Sequence, residues 1–219
     1  MPSPRATPVR TLVAAIALLP ATAWPAPAAT TPATLPPFTY NVHRVSAAEL
    51  GASWRSGCPV APSSLRRIRM THLGWDGRAR TGDLVVHNDI AGPTVVAFRR
   101  LYTQRFPIRS MRPISVFGGS DDRSMAADNT SGFNCRKVTG GTGWSRHAFG
   151  RAIDLNPVEN PYVKGATVLP PAGAAYVRRT PARKGMLVAG TLPVTTFTGY
   201  GWSWGGNYRS LKDFQHLER

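Results

Sequence analysis

The chain has 219 residues, with 27 Lys and Arg against 11 Asp and Glu, so its formal net charge at pH 7 is +16. A hydrophobic content of 42% excludes an intrinsically disordered chain, and the length suits one domain with a real core. The 21 Gly and 20 Pro residues argue against a long-helix bundle and favour a loop-rich α+β domain. The positive charge predicts an anionic partner, which could be nucleic acid, a membrane surface or an anionic wall polymer.

The N-terminus has the pattern of a secretory signal peptide over residues 1–28. Arg5 and Arg10 precede a short apolar run at residues 12–19, and Ala-x-Ala cleavage sites follow at 21–23 and 26–28. A membrane anchor is the alternative, but the run is far shorter than the roughly 20 apolar residues that span a bilayer. We therefore expect export, to the outside, the periplasm or the cell wall, without stable membrane insertion after cleavage.

Residues 29–40 are rich in Pro and Thr and predict a short linker, which leaves residues 41–219 as the folded domain. Two cysteines, Cys58 and Cys135, lie in this exported part. In an oxidising compartment, an even pair most simply forms a disulfide. A reactive thiol and a pair of metal ligands are the alternatives, but neither cysteine lies in a C-x-x-C motif.

The first half of the domain predicts two strands, a helix and a third strand. Residues 68–73 and 84–87 have strand character, and Gly82-Asp83 between them suggests part of a turn. Apolar residues recur at helical spacing over residues 94–106, and Pro107 ends that pattern. Residues 113–118 predict a strand that enters a Gly-Gly turn.

The second half is dominated by irregular chain. Residues 119–146 are rich in Gly, Ser, Asn, Asp and Thr, and an irregular segment of this length is unusual unless it builds a site. A strand at 152–155, a Pro-rich excursion to about residue 184 and an apolar segment at 194–200 follow. We expect a single α+β domain in which a small antiparallel sheet is flanked by helices and long loops.

Two short stretches carry the chemistry. In the first, residues 145–154, His147 lies in a loop and Asp154 alternates with apolar Ile153 and Leu155, so that its carboxylate projects away from the core. In the second, Asp213 and His216 are three residues apart and can converge on one point. Two His and one carboxylate with an open fourth position are the composition of a catalytic zinc site.

Each of these residues also has a simpler interpretation. A His in a Gly-rich loop is often a surface or hydrogen-bonding residue, and an Asp between apolar residues can cap a turn. The remaining histidines, His43, His72 and His87, have no ligand-like neighbours in the sequence.

The order of the motifs, however, resembles a known family. S-x-H-x-x-G-x-A-x-D at residues 145–154, followed by W-x-W-G-G and D-x-x-H, is similar to the D-alanyl-D-alanine carboxypeptidase family of zinc peptidases. That family includes vancomycin-resistance D,D-peptidases and phage L-alanyl-D-glutamate endolysins, and it is grouped with lysostaphin-type enzymes and hedgehog domains. The stretches SMAADNTSGFNCR and DLNPVENPYV resemble its secreted bacterial branch, so the resemblance covers roughly residues 55–219.

The resemblance implies one zinc ion per chain, held by His147, Asp154 and His216, with Asp213 as the catalytic acid/base. It also implies an upstream Arg that holds substrate or stabilises the oxyanion, for which Arg136 is the candidate and Arg123 the alternative. The family usually has Phe after the last ligand, and Leu217 keeps an apolar side chain there.

Two further roles concern substrate. Ser145 is expected to orient a ligand or the peptide. Trp204 could equally line the substrate groove or belong to the core, whereas the core is the favoured place for Trp202.

The expected function is that of a secreted zinc-dependent hydrolase of peptidoglycan stem peptides, of the D-Ala-D-Ala carboxypeptidase or the L-Ala-D-Glu endopeptidase type. The alternative is a non-catalytic, metal-containing wall-binding module of the same fold. A nucleic-acid partner would rest on charge alone and is not expected. The chain is expected to act as a monomer on cell-wall peptides. Cations remote from the motifs are expected to hold it on the wall polymer: Arg66, Arg67, Arg69, Arg99, Arg100, Arg178 and Arg179.

Overall fold

The computed structural model describes residue 1 and residues 34–219, and residues 35–219 form one unit. The predicted signal peptide, apart from Met1, and the first part of the predicted linker lie outside the described residues. The strands, in chain order, are β1 (Tyr40–Arg44), β2 (Leu65–Leu73), β3 (Ala79–His87), β4 (Ser110–Met111), β5 (Asn129–Thr130), β6 (Ala152–Asp154), β7 (Tyr162–Lys164), β8 (Thr167–Leu169), β9 (Ser203–Trp204), β10 (Lys212–Asp213) and β11 (His216–Glu218). The α-helices are α1 (Ala47–Leu50), α2 (Asn88–Thr103), α3 (Asp121–Ala126) and α4 (Leu192–Gly199).

The strands form three small antiparallel sheets with the orders β1-β2-β3, β10-β7-β8 and β6-β11-β9, and β4 and β5 pair in parallel. Short strands, helices and long connections together confirm the predicted α+β class. Among the described helices, none combines the length and apolar character needed to cross a bilayer.

The β2–β3 hairpin is longer than the sequence pattern indicates. Its nine register pairs run from Leu65 opposite His87 to Leu73 opposite Ala79. The expected turn at Gly82-Asp83 is therefore wrong, because both residues lie within β3 and the chain reverses at residues 74–78 instead. Gly82 is required by packing: a Cβ there would lie 2.6 Å from the Cβ of Met111.

Helix α2 confirms the helical pattern, with shifted ends. It begins at Asn88, where the His87 side chain accepts a hydrogen bond from the backbone of Asp89, and it continues through Pro93. Its buried face packs on β2 and β3 in the main core, together with Phe197 of α4. The long helix and the hairpin thus share one core with Ile153 of β6 and Leu217 of β11.

Two predictions in the middle of the chain need correction. Residues Ile114–Phe117 form a 3-10 helix and not a strand, and left-handed Gly118 ends it. The stretch 119–146 is not wholly irregular, because Ser120 caps the short helix α3 and β5 follows. Both helices are too short for a helical spacing of apolar residues to be recognised in the sequence. Polar residues such as Ser120 are common both in loops and at the starts of helices, so they do not distinguish the two.

The disulfide prediction is confirmed. Cys58 and Cys135 are bonded, with their Cα atoms 5.8 Å apart and a separation of 77 positions in sequence. Cys135 also donates its backbone N–H to Ser53 and accepts from the Arg55 guanidinium through its carbonyl. The bridge thereby fixes the residue that immediately precedes Arg136.

The Pro-rich excursion folds around one guanidinium. Arg179 donates to the carbonyls of Glu159, Tyr176 and Leu187 and to the side chain of Asn160. It also lies over the ring of Phe214, with 4.4 Å between guanidinium and ring centre. Its main contacts are therefore internal, which corrects its placement among the cations that face a wall polymer. Arg67 and Arg69 similarly form ion pairs with Asp83.

Candidate metal centre and its cavity

The loop that carries His147 is shaped by the residues on either side of it. The Ser145 hydroxyl caps the 3-10 helix Arg146–Phe149 by accepting the backbone N–H of His147, at 3.3 Å. Gly150 ends the helix with a φ of 67°, and a Cβ there would lie 2.7 Å from the backbone nitrogen of His87. Only glycine suits this position, which turns the chain directly into β6.

Strand pairing places the other two side chains. In the β6–β11 ladder His216 is opposite Asp154, and Leu217 is opposite Ile153. Ile153 and Leu217 are fully buried in the core, and each such burial stabilises the fold by roughly 1.5–3 kcal/mol. Because side chains alternate along a strand, Asp154 and His216 project together from the other face.

The three predicted ligands converge. His147 Nε2 lies 3.0 Å from Asp154 Oδ2, and His216 Nδ1 lies 3.2 Å from Asp154 Oδ1. The two imidazole nitrogens, His147 Nε2 and His216 Nδ1, are themselves 3.2 Å apart. One ligand atom from each residue falls within 4.8 Å of the others, and all three residues are buried, so the group could hold a metal ion.

The surroundings orient each imidazole toward this common point. His147 Nδ1 donates to the carbonyl of Gly132 at 2.7 Å, which turns Nε2 toward Asp154. His216 turns Nδ1 inward, and its Nε2 lies 3.6 Å from Glu218 Oε2. Carbonyl or carboxylate partners on the distal ring nitrogen are typical of metal-binding histidines. The donor set of two imidazole nitrogens and a carboxylate therefore fits zinc.

Electrostatics favour a cation at this point. Burial would raise the pKa of Asp154, but the charges and hydrogen bonds of His147 and His216 hold it far below its usual range. Burial lowers the pKa of His216, yet its interactions with Asp154, Glu218 and Asp213 outweigh burial and raise it to about 10. The site thus stabilises positive charge.

Asp213 is the fourth residue of the motif set, and its surroundings differ from those of the three candidate ligands. It lies on β10, opposite Tyr162 of β7, and its Oδ1 is buried without a hydrogen-bond partner among the described residues. Burial raises its pKa to about 6, although the positive charges of His216, His147 and Arg136 oppose that effect. Glycine at position 205 lets the backbone of Asp213 pack closely against it, because a Cβ there would lie 2.5 Å from the Asp213 carbonyl oxygen.

A cavity of about 230 Å³ opens over these residues. Asp213 and His216 line it together with Ser145, Arg136 and Tyr208. Two of the three residues expected to meet substrate, Ser145 and Arg136, are thus at the cavity, beside the expected acid/base.

The remaining candidates lie elsewhere. Trp204 is buried, does not line the cavity, and donates its indole N–H to the carbonyl of Phe214 at 2.8 Å. Trp202 is buried against Phe197 in the core. Arg123, the alternative to Arg136, is exposed on α3 and is not a lining residue.

Three residues that the sequence did not single out also belong to this region. Glu218 faces His216 and accepts a hydrogen bond from the Tyr208 hydroxyl at 3.0 Å. Burial and the charge of Glu218 raise the pKa of Tyr208 well above its usual value, so its phenol stays protonated. Asp121, from α3, forms an ion pair with Arg136. The position of Glu218 two residues after His216 on a strand was the one available clue, since such residues share a face.

Comparison with known proteins agrees with the motif order. A family model described as D-alanyl-D-alanine carboxypeptidase matches residues 139–219. That segment contains His147, Asp154, Asp213 and His216, and it includes both strands of the β6–β11 ladder. Comparisons with curated proteins and with solved structures gave no match. Over this segment, 81 of the 219 residues, the chain is similar to the D-alanyl-D-alanine carboxypeptidase family.

Proposed function

We propose that this protein is a secreted, zinc-dependent peptidase that hydrolyses peptide bonds in peptidoglycan stem peptides. The observation that carries the proposal is the meeting of three buried side chains, two imidazoles and a carboxylate, at a cavity that His216 lines together with Asp213, whose Oδ1 is buried and unpaired. The family match supports the peptidase class, and D-Ala-D-Ala is the substrate that its description names.

The metal would be held by His147 Nε2, an oxygen of Asp154 and His216 Nδ1. When bound, zinc supplies Lewis-acid chemistry, because it polarises a carbonyl group and makes water a better nucleophile at neutral pH. The chain's contribution here is orientation: Gly132 fixes the His147 ring, and Glu218 faces the outer nitrogen of His216.

Asp213 has the properties of the proton carrier. Its Oδ1 accepts the proton of the attacking water and then delivers it to the nitrogen of the leaving amine, so that no net proton is consumed in the cycle. A pKa of about 6 allows the carboxylate to exist at neutral pH and still to hold a proton in the intermediate step. Its lack of a partner leaves Oδ1 available for the water.

Arg136 is proposed to bind an anionic oxygen of the substrate or of the transition state. A guanidinium donates several N–H groups in a fixed plane, and such charge-assisted hydrogen bonds are about twice as strong as neutral ones. Ser145 supports the site by holding the backbone of His147, and its side chain also lines the cavity.

Digestion of purified peptidoglycan fragments, followed by mass spectrometry of the products, tests this function. We expect release of D-Ala or cleavage within the stem peptide, lost on chelation and restored by zinc. Full hydrolysis by Asp213→Ala would contradict the mechanism. Binding to wall fragments without any product would favour the alternative, a metal-containing binding module.

A further inference from the structure

One carboxylate outside the catalytic cavity contacts a side chain that lines it. Arg136 Nη2 lies 3.0 Å from Asp121 Oδ2, and Arg136 Nη1 donates to the carbonyl of Lys137 at 3.2 Å. The two side chains are 23% and 18% exposed, so the pair is largely removed from water. Two anchors on two different nitrogens fix both the position and the plane of the guanidinium.

Asp121 is held in place by its own helix. It is the first residue of α3, whose start is capped by the Ser120 hydroxyl. Ser124 and Met125 form the buried face of that helix. Its neighbour Asp122 lies in the same helical turn but is exposed. Asp121 does not line the cavity itself.

The second guanidinium of the cavity is arranged differently. Arg146 Nε lies 3.5 Å from Glu218 Oε2, and Arg146 Nη2 donates to the carbonyl of Arg219 at 2.9 Å. Glu218 lines the cavity, so the charge of Arg146 is offset inside it. The acidic partner of Arg136 lies behind the cavity wall, and the Nε of Arg136 has no hydrogen-bond partner among the described residues.

We infer that Asp121 is a positioning residue, which holds the guanidinium of Arg136 at the cavity so that an anionic oxygen of the substrate meets donors already in place. The inference rests on the proposed function, because it needs a substrate in this cavity. A free Arg side chain would lose rotamer freedom on binding, whereas an anchored one has already lost it in the folded protein. Asp121 thus acts on the substrate through its ion pair with Arg136.

The experiment uses the full-length, zinc-loaded protein with a stem peptide as the substrate. Asp121→Ala is expected to lower kcat/KM by roughly 10- to 100-fold, the range for loss of a charge-assisted contact. Asp121→Asn keeps an oxygen acceptor at the same place and should recover part of that loss. Asp122→Ala, on the same helical turn, is the matched control and should stay within about twofold of the unchanged protein.

A double-mutant cycle separates positioning from a merely structural role. If Asp121 acts through Arg136, then Asp121→Ala should have almost no further effect in the Arg136→Gln background. Zinc content, measured on every variant, should remain at one ion per chain. Multiplying effects in the double variant, or a loss equal to that of Asp122→Ala, would overturn the inference. If Asp121→Ala does not fold, Asp121→Ser, which is too short to reach the guanidinium, serves in its place.

A crystal structure of Asp121→Ala gives a readout that does not depend on turnover. We expect the Arg136 guanidinium to leave the cavity wall while His147, Asp154 and His216 keep their places. A guanidinium that stays in place would overturn the inference even if activity fell. If the unchanged protein hydrolysed none of the peptides, the proposed function would fail, and the crystal structure would still decide whether Asp121 fixes Arg136.

Discussion

Asp154 and His216 are direct neighbours across the β6–β11 ladder, at a pair where the backbones do not hydrogen-bond to each other. The backbone of Asp154 exchanges both of its hydrogen bonds with Ser131 on the other side, and Leu155 bonds to Gln215 in the adjacent pair. In antiparallel sheets, such non-hydrogen-bonded pairs bring side chains closest together. Two candidate ligands that are 62 residues apart in sequence are therefore brought together by the strand pairing itself.

This arrangement predicts that each ligand side chain is necessary for metal binding. Asp154→Asn and His216→Ala should weaken zinc affinity by more than about 100-fold, because three protein ligands leave none in reserve. Competition with a chromophoric chelator measures the affinity without any substrate. His43→Ala is the control, since His43 is exposed on β1 and should not matter for the metal. Unchanged affinity in either ligand variant would contradict the assigned site.

Substitution of Asp213 should abolish most turnover and leave metal binding intact. Asp213→Asn keeps the size of the side chain but cannot take up a proton, so kcat should fall by roughly 10²–10⁴-fold. Zinc content should be unchanged, because Asp213 is not among the residues that converge on the metal point. Metal analysis and peptide hydrolysis on the same preparation check both statements. An equal loss of zinc would instead make Asp213 a ligand.

The sequence indicated the three side chains that converge because they stand in short local motifs. His147, Asp154 and His216 stand in recognisable order, and the alternation around Asp154 gave its orientation directly. The contacts that hold them could not be predicted in the same way. Gly132 lies 15 residues from His147, and Asp121 lies 15 residues from Arg136, in a stretch without periodic pattern. Such contacts follow from tertiary packing, which single-sequence patterns do not encode.

The same distinction explains the corrected elements. Residues 113–118 have strand-like composition, but left-handed Gly118 and Gly119 reverse the chain too soon for a strand to pair. Gly82 suggested a turn, but it lies within β3. Glycine is needed there because Met111 occupies the space that a side chain would take. Trp204 could have been in a groove or in the core, and it lies in the main core, where its indole N–H donates to the carbonyl of Phe214.

The disulfide should contribute to stability more than to metal binding. Replacing both Cys58 and Cys135 by Ser should lower the free energy of unfolding by about 4 kcal/mol, since the bridge closes a long loop in the unfolded chain. Backbone bonds of Cys135 to Ser53 and Arg55 do not need the bridge. Urea unfolding and zinc titration below the unfolding transition test the two parts. A variant of unchanged stability that lost zinc would contradict this division.

The pH dependence of stability should depend on Glu159, a carboxyl group remote from the metal ligands. Its side chain is 1% exposed, and its nearest cation is Arg109 at 3.7 Å, too distant for a strong bond. Burial, together with the neighbouring carboxyl group of Asp128, raises its pKa from the ordinary 4.5 to about 8. The folded state therefore binds this proton more tightly than the unfolded state does.

The sign of the effect follows from that difference. Below pH 4.5 Glu159 is protonated in both states, and between 4.5 and about 8 only the folded state keeps the proton, so stability is lost as pH rises through this window. Glu159→Gln is neutral at every pH and avoids this loss. Its advantage in unfolding free energy should grow between pH 5 and 8, by on the order of 2–4 kcal/mol, and then level off. Urea unfolding of both proteins at matched pH values measures the difference, in which other titrating groups cancel. Asp122→Asn, which removes an exposed carboxyl group, is the control and should show no such trend. If the difference between Glu159→Gln and the unchanged protein did not vary with pH, Glu159 would have an ordinary pKa in the folded protein.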